Sequence, residues 1–182
     1  MSVTDYLALE EFSAVRHEYV AGELYALAGA TESHNRIAGN IFGHLWAAAR
    51  GSACRVFMSD MKLHIDHGTE SGTESLFYYP DVMVVCDSED REALYKTRPC
   101  LVVEVLSPGT DATDRREKLF HYKRLAGLQT YMMVSQDESK VSYHYRDEAR
   151  RWWQAEASGE GVVPFPCPEL SLSLADIYEG VC

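Results

Sequence analysis

The chain has 182 residues, 46% of them apolar, which suffices for one core and one domain spanning 1–182 without stapling by disulfides or metals. Its net charge of −11 excludes broad, sequence-blind attraction to a polyanion, because phosphate binding draws most of its affinity from lysines and arginines. Met1 to Phe12 has neither the basic start nor the apolar run of a secretory signal, and no apolar run reaches bilayer length, so a cytoplasmic protein without membrane contact is expected.

Residues 4–14 predict a short amphipathic helix. Tyr19-Val20 and Leu24-Tyr25-Ala26-Leu27 then flank Ala21-Gly22, the pattern of a tight hairpin, with Glu18 and Glu23 bracketing the turn. From Ser33 to Arg50, Ile37, Ile41, Leu45 and Ala48 recur at helical spacing, and Gly51 is the expected stop. Three strand-like stretches follow: Arg55 to Ile65, with room for a break, then Leu76 to Cys86, then Leu101 to Leu106. The polar segment Gly68 to Ser75 is expected as the hairpin loop between the first two. Ser107-Pro108-Gly109-Thr110 and Gly127 bound a second helix from about Thr113 to Ala126. Tyr131 to Val134 predicts a buried strand, Val141 to Tyr145 and Trp152 to Ala155 a two-stranded extension, and Leu174 to Tyr178 a closing helical turn. The core order of helix, three strands, helix and strand predicts an α/β fold, a mixed sheet with helices packed on it. An N-terminal hairpin precedes that core and a C-terminal β extension follows it.

Two acids stand out within this order. In Tyr79-Pro80-Asp81-Val82 an aspartate opens an apolar strand directly after a proline, which cannot donate to a sheet ladder. Asp81 either ends an edge strand or is aimed outward as a ligand. Glu104 sits inside Leu101-Val102-Val103-Glu104-Val105-Leu106, where an ionised carboxylate is costly to bury without a cation or a hydrogen-bond donor. An ion pair would meet that cost, and so would a metal, the reading favoured by the concentration of perturbed carboxylates at sites. On neighbouring strands and a common face the two acids would lie about 5 Å apart, near enough to share one ion. An all-oxygen set with no His or Cys close in sequence suits Mg²⁺ or Mn²⁺ better than zinc.

Asp114, Lys118 and Tyr122 fall one turn apart on a single face of the second helix. Lys118 is then either an ordinary partner of Asp114 or an amine held beside the two carboxylates, able to stabilise charge on a phosphate or orient water. The segment Asp114 to Arg124 holds five basic and two acidic residues, either a solvated face or a local basic patch around Arg115 and Arg116 for phosphate contact. His34 near its helix start either caps and packs or binds a phosphate. Trp152 and Trp153, adjacent in a strand, point to opposite faces, one into the core and one toward a partner surface, where it could stack on bases. Cys54, Cys86, Cys100, Cys167 and Cys182 are odd in number and scattered, without the paired spacing of a zinc site, so reduced thiols are expected.

Tyr79-Pro80-Asp81, Val103-Glu104-Val105-Leu106-Ser107-Pro108, and Asp114 to Lys118 with Tyr122 and Gly127 resemble the Uma-type family of restriction endonucleases. The likeness extends over most of the chain. His17-Glu18-Tyr19-Val20-Ala21-Gly22-Glu23-Leu24 resembles the family's N-terminal hairpin, His34 its following helix, and Asp176-Ile177-Tyr178 its closing segment. The resemblance implies the PD-(D/E)xK superfamily fold, Mg²⁺-dependent cleavage of DNA phosphodiesters, and a homodimer. One departure is plain: the usual Glu-x-Lys places lysine two residues after the glutamate, where this chain has Leu106. Lys118 resembles the relocated lysine that some branches supply from the next helix, with Lys62 in reserve. On this reading Asp81 and Glu104 hold the metal, Glu23 adds a third carboxylate from the hairpin, Lys118 assists, and Arg115, Arg116 and His34 contact DNA. The rival expectations are a nuclease-fold protein that no longer cuts and serves as a binding module, and a hydrolase of smaller phosphate esters.

Overall fold

The computed structural model describes residues 1–69, 72–107 and 113–181. It opens with α1 (Val3–Phe12), whose N-cap Ser2 accepts a hydrogen bond from the Asp5 N–H, one of the donors a helix start leaves unpaired. The predicted hairpin follows as β1 (His17–Val20) and β2 (Glu23–Ala26), turning through Ala21 and Gly22 at φ 50° and 97°. Two consecutive positive φ values match the twist of a two-residue hairpin. Helix α2 (Glu32–Ala49) starts at the N-cap Thr31 and stops before Gly51, which takes a left-handed φ of 81°. Its buried stripe is Ile37, Ala38, Ile41, Leu45 and Ala49; Ala48, expected in that stripe, is exposed because Ala49 keeps the four-residue spacing from Leu45.

Two breaks in strand-forming sequence shape the sheets. The first stretch divides at Ser59, φ 44°, into β3 (Arg55–Met58) and β4 (Lys62–Thr69). The second divides at Tyr79-Pro80-Asp81 into β5 (Gly72–Tyr78) and β6 (Val82–Val85), where Pro80 has no N–H to give a ladder. The Ser59 N–H donates to the Asp81 carbonyl at 3.2 Å, so the breaks lie side by side. Because β3 pairs with β6 and β4 with β5, both antiparallel, one long hairpin is folded across two sheets, with Asp81 at the corner. β4 and β5 stay paired out to Thr69 and Gly72, so most of the segment expected as a loop is strand. Residues 70 and 71 of the expected loop lie outside the described residues, as do Pro108, Gly109 and Thr110 of the expected helix-start turn.

After the short β7 (Tyr95–Lys96), β8 (Leu101–Leu106) runs parallel to β9 (Thr130–Ser135) and antiparallel to β6. The crossover carries a π-helical turn, Asp114–Lys118, continuing into α3 (Leu119–Tyr122). The predicted helix to Ala126 is therefore too long. Its remaining carbonyls are taken by other groups: Arg146 donates to the carbonyls of Lys123 and Leu125, and the Trp152 indole to that of Lys123. β10 (Lys140–Arg146) and β11 (Trp152–Ser158) extend the sheet as predicted. Trp152 packs into the core while Trp153 is half exposed. A further hairpin that the sequence did not announce, β12 (Val162–Pro166) and β13 (Glu169–Ser173), leads into the closing turn α4 (Leu174–Ile177). One sheet runs β2-β1-β5-β4-β7 and the other β11-β10-β9-β8-β6-β3.

The six-stranded sheet is buried on both faces, which is why β6 and β8 read as continuous apolar runs. Val82, Val84, Val103 and Val105 meet α2 and the β12–β13 hairpin. Met83, Val102 and Leu106 meet Leu63, Leu76 and Tyr78 of the other sheet. Each large side chain so buried contributes about 1.5–3 kcal/mol. No described helix is long and apolar enough to cross a membrane.

The cysteines correct the expectation of scattered reduced thiols. Cys54 is bonded to Cys86 and Cys100 to Cys167. Strand register does what sequence spacing could not reveal: Arg55 lies opposite Val85, which sets Cys54 level with Cys86 one step further out.

Candidate functional site

Val82 of β6 is the register partner of Val103 of β8. One step beyond that pair, Asp81 comes level with Glu104, and residues directly opposed across antiparallel strands share a face. The two acids therefore converge where the sheets meet. Asp81 Oδ2 accepts from the backbone N–H of Val105 at 2.7 Å and lies 3.2 Å from His34 Nε2. His34 reaches it from the first turn of α2, where its own N–H is held by Thr31 Oγ1.

Glu104 is 3% exposed, in the interior of a central strand, and its Oε1 accepts from Lys118 Nζ at 3.2 Å and from the Tyr122 hydroxyl at 2.9 Å. The compensation its position demands thus comes from the crossover helix. Lys118 Nζ also stands 3.0 Å from Glu18 Oε1 and 3.2 Å from Asp114 Oδ1, the latter a charge contact rather than an aligned hydrogen bond. The π-helical winding from Asp114 to Lys118 sets that face; such turns recur at functional sites. The Tyr131 hydroxyl donates to the Asp114 carbonyl and fixes the turn against β9.

These residues line one cavity of about 500 Å³, which Glu18, His34, Asp81, Glu104, Asp114 and Lys118 all face. The electrostatics follow from burial and from crowding of like charge. Burial raises the Glu104 pKa well above the ordinary carboxylate value; Lys118 opposes this, while Asp114, Asp81 and Glu18 add to it. Burial alone would lower the Lys118 pKa, but Glu104, Glu18 and Asp114 carry it well above that of a free lysine. Burial likewise disfavours a charged His34, yet the hydrogen bond and the charge of Asp81 bring its pKa above the usual value. Tyr122 is pushed up by burial and by Glu104, so it remains a phenol and a donor.

Of the residues singled out in the sequence, Asp81, Glu104, Lys118 and His34 come together. Glu23 does not. It is exposed on the edge strand β2 and accepts from the Tyr25 hydroxyl. Its place is taken by Glu18, on the inner strand β1, which pairs with β5 and so stands one strand closer to Lys118. The sequence holds the signal for this choice, since His17-Glu18-Tyr19-Val20 becomes interior only if the hairpin is docked by β1. Lys62 is also outside the cluster, its ammonium 5.3 Å from the Tyr79 ring. Arg115 and Arg116 are exposed on the outer side of the π-helical turn.

Comparisons with known proteins agree with this architecture. The family model described as "Uma2: Putative restriction endonuclease" matches residues 3–175. Two Synechocystis proteins are similar over nearly their whole lengths. The uncharacterized protein slr1290 is 32% identical over 182 residues, covering 100% of this chain and 93% of that protein. The uncharacterized protein sll1609 is 31% identical over 165 residues, covering 89% and 90%. Among solved structures, a "putative nuclease belonging to DUF820" from Anabaena variabilis superposes with a TM-score of 0.73 at 18% identity, covering 93% of each chain. That likeness establishes the mixed α/β fold.

Proposed function

The chain belongs to the Uma2 family of restriction-endonuclease-like proteins, and from that premise we propose that it is a metal-dependent endonuclease hydrolysing DNA phosphodiester bonds. The observation that carries the reading is the level placement of Asp81 and Glu104 beside Lys118 in one cavity. The donor set fits a hard divalent ion: Glu18, Asp81, Glu104 and Asp114 offer only oxygens, and their negative charge exceeds that of Lys118 and His34. Asp81 and Glu104 would hold Mg²⁺ or Mn²⁺, which when bound supplies an activated water and offsets charge on the phosphate.

The remaining work falls to the chain's own groups. The Val105 N–H and His34 fix the Asp81 carboxylate, and the Tyr122 hydroxyl fixes that of Glu104. Lys118, surrounded by three carboxylates that hold its proton, is a fixed charge and donor rather than a base. His34 faces the cavity from a helix N-terminus, a position suited to a phosphate oxygen. Arg115 and Arg116 lie on the same helical turn as Lys118 and supply local backbone contacts, so that the acidic remainder of the surface limits nonspecific binding. Two copies of the chain would bring two such sites to one duplex.

Supercoiled plasmid incubated with Mg²⁺ or Mn²⁺ is expected to be nicked or linearised by the wild type and left intact by Asp81→Ala and Glu104→Ala. Cleavage that survives both substitutions overturns the assignment. One observation favours a second reading, a binding module that no longer cuts: Lys118 already pairs with three of the carboxylates and occupies the space among them. Calorimetry with Mn²⁺ separates the two, since the endonuclease binds the ion saturably through Asp81 and Glu104 and the module does not.

A further inference from the structure

Four of the five cysteines meet at the other end of the strands that carry the acids. Cys54 precedes β3, Cys86 follows β6, Cys100 precedes β8, and Cys167 lies between β12 and β13. Two unrelated structural bridges have no reason to touch, yet Cys86 Sγ is 3.5 Å from Cys100 Sγ, and the sulfurs of Cys86, Cys100 and Cys167 all lie within 4.8 Å of one another. A tetrahedral ion with metal–sulfur bonds of about 2.3 Å sets its sulfurs about 3.8 Å apart, so Cys86 and Cys100 of different bridges already stand near ligand spacing, while Cys167, bonded to Cys100, must part from it by a short distance. The fourth, Cys54, is bonded to Cys86 and likewise swings away from its partner once both bridges are open.

The surroundings suit such an ion. Cys100 and Cys167 are buried, Cys54 and Cys86 are partly buried against the same core, and a cavity of about 510 Å³ opens on Cys86 and Cys100 and offers a way in. A four-thiolate complex of a divalent ion carries two negative charges. Arg98 lines that cavity, and Arg55 stands next to Cys54 with its guanidinium on the Asp87 and Asp90 carbonyls; Asp87, paired with Arg98, is the opposing acid.

We propose that Cys54, Cys86, Cys100 and Cys167 form a redox-gated site for one thiophilic divalent ion of the zinc class, closed while the sulfurs are paired and open when they are reduced. The chemistry balances: each disulfide takes two electrons and two protons from a thiol or phosphine reductant, and the ion then displaces the four thiol protons. Soft sulfur donors distinguish this site from the oxygen site around Glu104.

The test uses the full chain, reduced with a phosphine under argon and titrated with Co²⁺ as an optical stand-in for Zn²⁺. The expected result is one equivalent of Co²⁺ bound with strong thiolate-to-cobalt absorption and displaced by one equivalent of Zn²⁺. That absorption is absent from the unreduced protein, lost in Cys100→Ser and in the partly exposed Cys54→Ser, and retained in Cys182→Ser. No such absorption from wild type whose thiols are shown to be reduced overturns the proposal, and so does absorption that persists in both Cys100→Ser and Cys54→Ser. The wild-type arm needs no variant to fold, and neither result depends on whether the chain cuts DNA.

Discussion

β6 and β8 run antiparallel, and each has a carboxylate toward one end and a cysteine at the other: Asp81 and Cys86 flank β6, while Cys100 directly precedes β8 and Glu104 lies in its second half. The two ends lie roughly 16 Å apart at about 3.3 Å per strand residue, and they meet burial in opposite ways. At the acid end, Glu18, Glu104 and Asp114 crowd round a single ammonium, so the arrangement stands only while a cation stays among them. At the sulfur end, neutral disulfides sit against apolar neighbours with no charge to offset. A site poised for a ligand is costly without one; a cross-link is not. The same pair of strands thus holds a strained electrostatic cluster at one end and a stable clasp at the other.

Removing the ammonium tests that contrast most severely. Lys118→Ala leaves three buried or nearly buried carboxylates without their counter-charge, and a loss of about 3–5 kcal/mol is expected in urea unfolding. Mn²⁺ should restore part of that loss if the acids can take up an ion; an unfolding midpoint that neither drops nor responds to Mn²⁺ would undo the contrast.

At the sulfur end the expected effect of each bridge is smaller and confined to stability. Opening the bridges, which span 32 and 67 residues, should cost about 2–4 kcal/mol each through the freer unfolded chain, in metal-free buffer. The Mn²⁺ affinity of the acid end should not change. A parallel fall in that affinity would show the two ends to be one coupled unit.

A pH series probes the acid end more finely. The folded-state pKa of Glu104 lies above that of an unfolded glutamate, so its contribution to metal-free stability is present at low pH and is lost as pH rises through the folded value. Mn²⁺ must displace the same proton, so its affinity should rise with pH, by up to about tenfold per unit for one proton released. Titrations in buffers of different ionisation enthalpy count that proton, and an affinity flat across the series contradicts the assignment of Glu104. The smallest effect belongs to Glu23→Ala: exposed and outside the cavity, it should change stability by less than about 0.5 kcal/mol and leave Mn²⁺ binding unaltered.

The acid end was largely legible in the sequence because burying charge leaves a local mark. A glutamate inside an apolar strand and an aspartate after a proline are anomalies of pattern, and the spacing of Asp114, Lys118 and Tyr122 puts the neutralising amine on one helix face. Glu18 was harder to read than Glu23, since choosing between them requires knowing which hairpin strand docks on β5. The sulfur end left no comparable mark, because its members lie at four strand ends and share no spacing. The β12–β13 hairpin that brings Cys167 across was also missed, its strand pattern being interrupted by Pro164 and Pro166.

Features that depend on near neighbours could be read from the residues alone: the hairpin turn at Ala21-Gly22, the apolar stripe of α2, the break at Pro80, and the presence of buried acids that need a cation. Which strand ends meet was settled only in three dimensions. Register between distant segments set Asp81 level with Glu104, chose Glu18 over Glu23, and gathered four sulfurs into one group. The cause is that the side-chain period of a strand fixes only the face a residue takes. Its partners come from long-range pairing, which is selected by burial summed over the whole sheet rather than by any local signal.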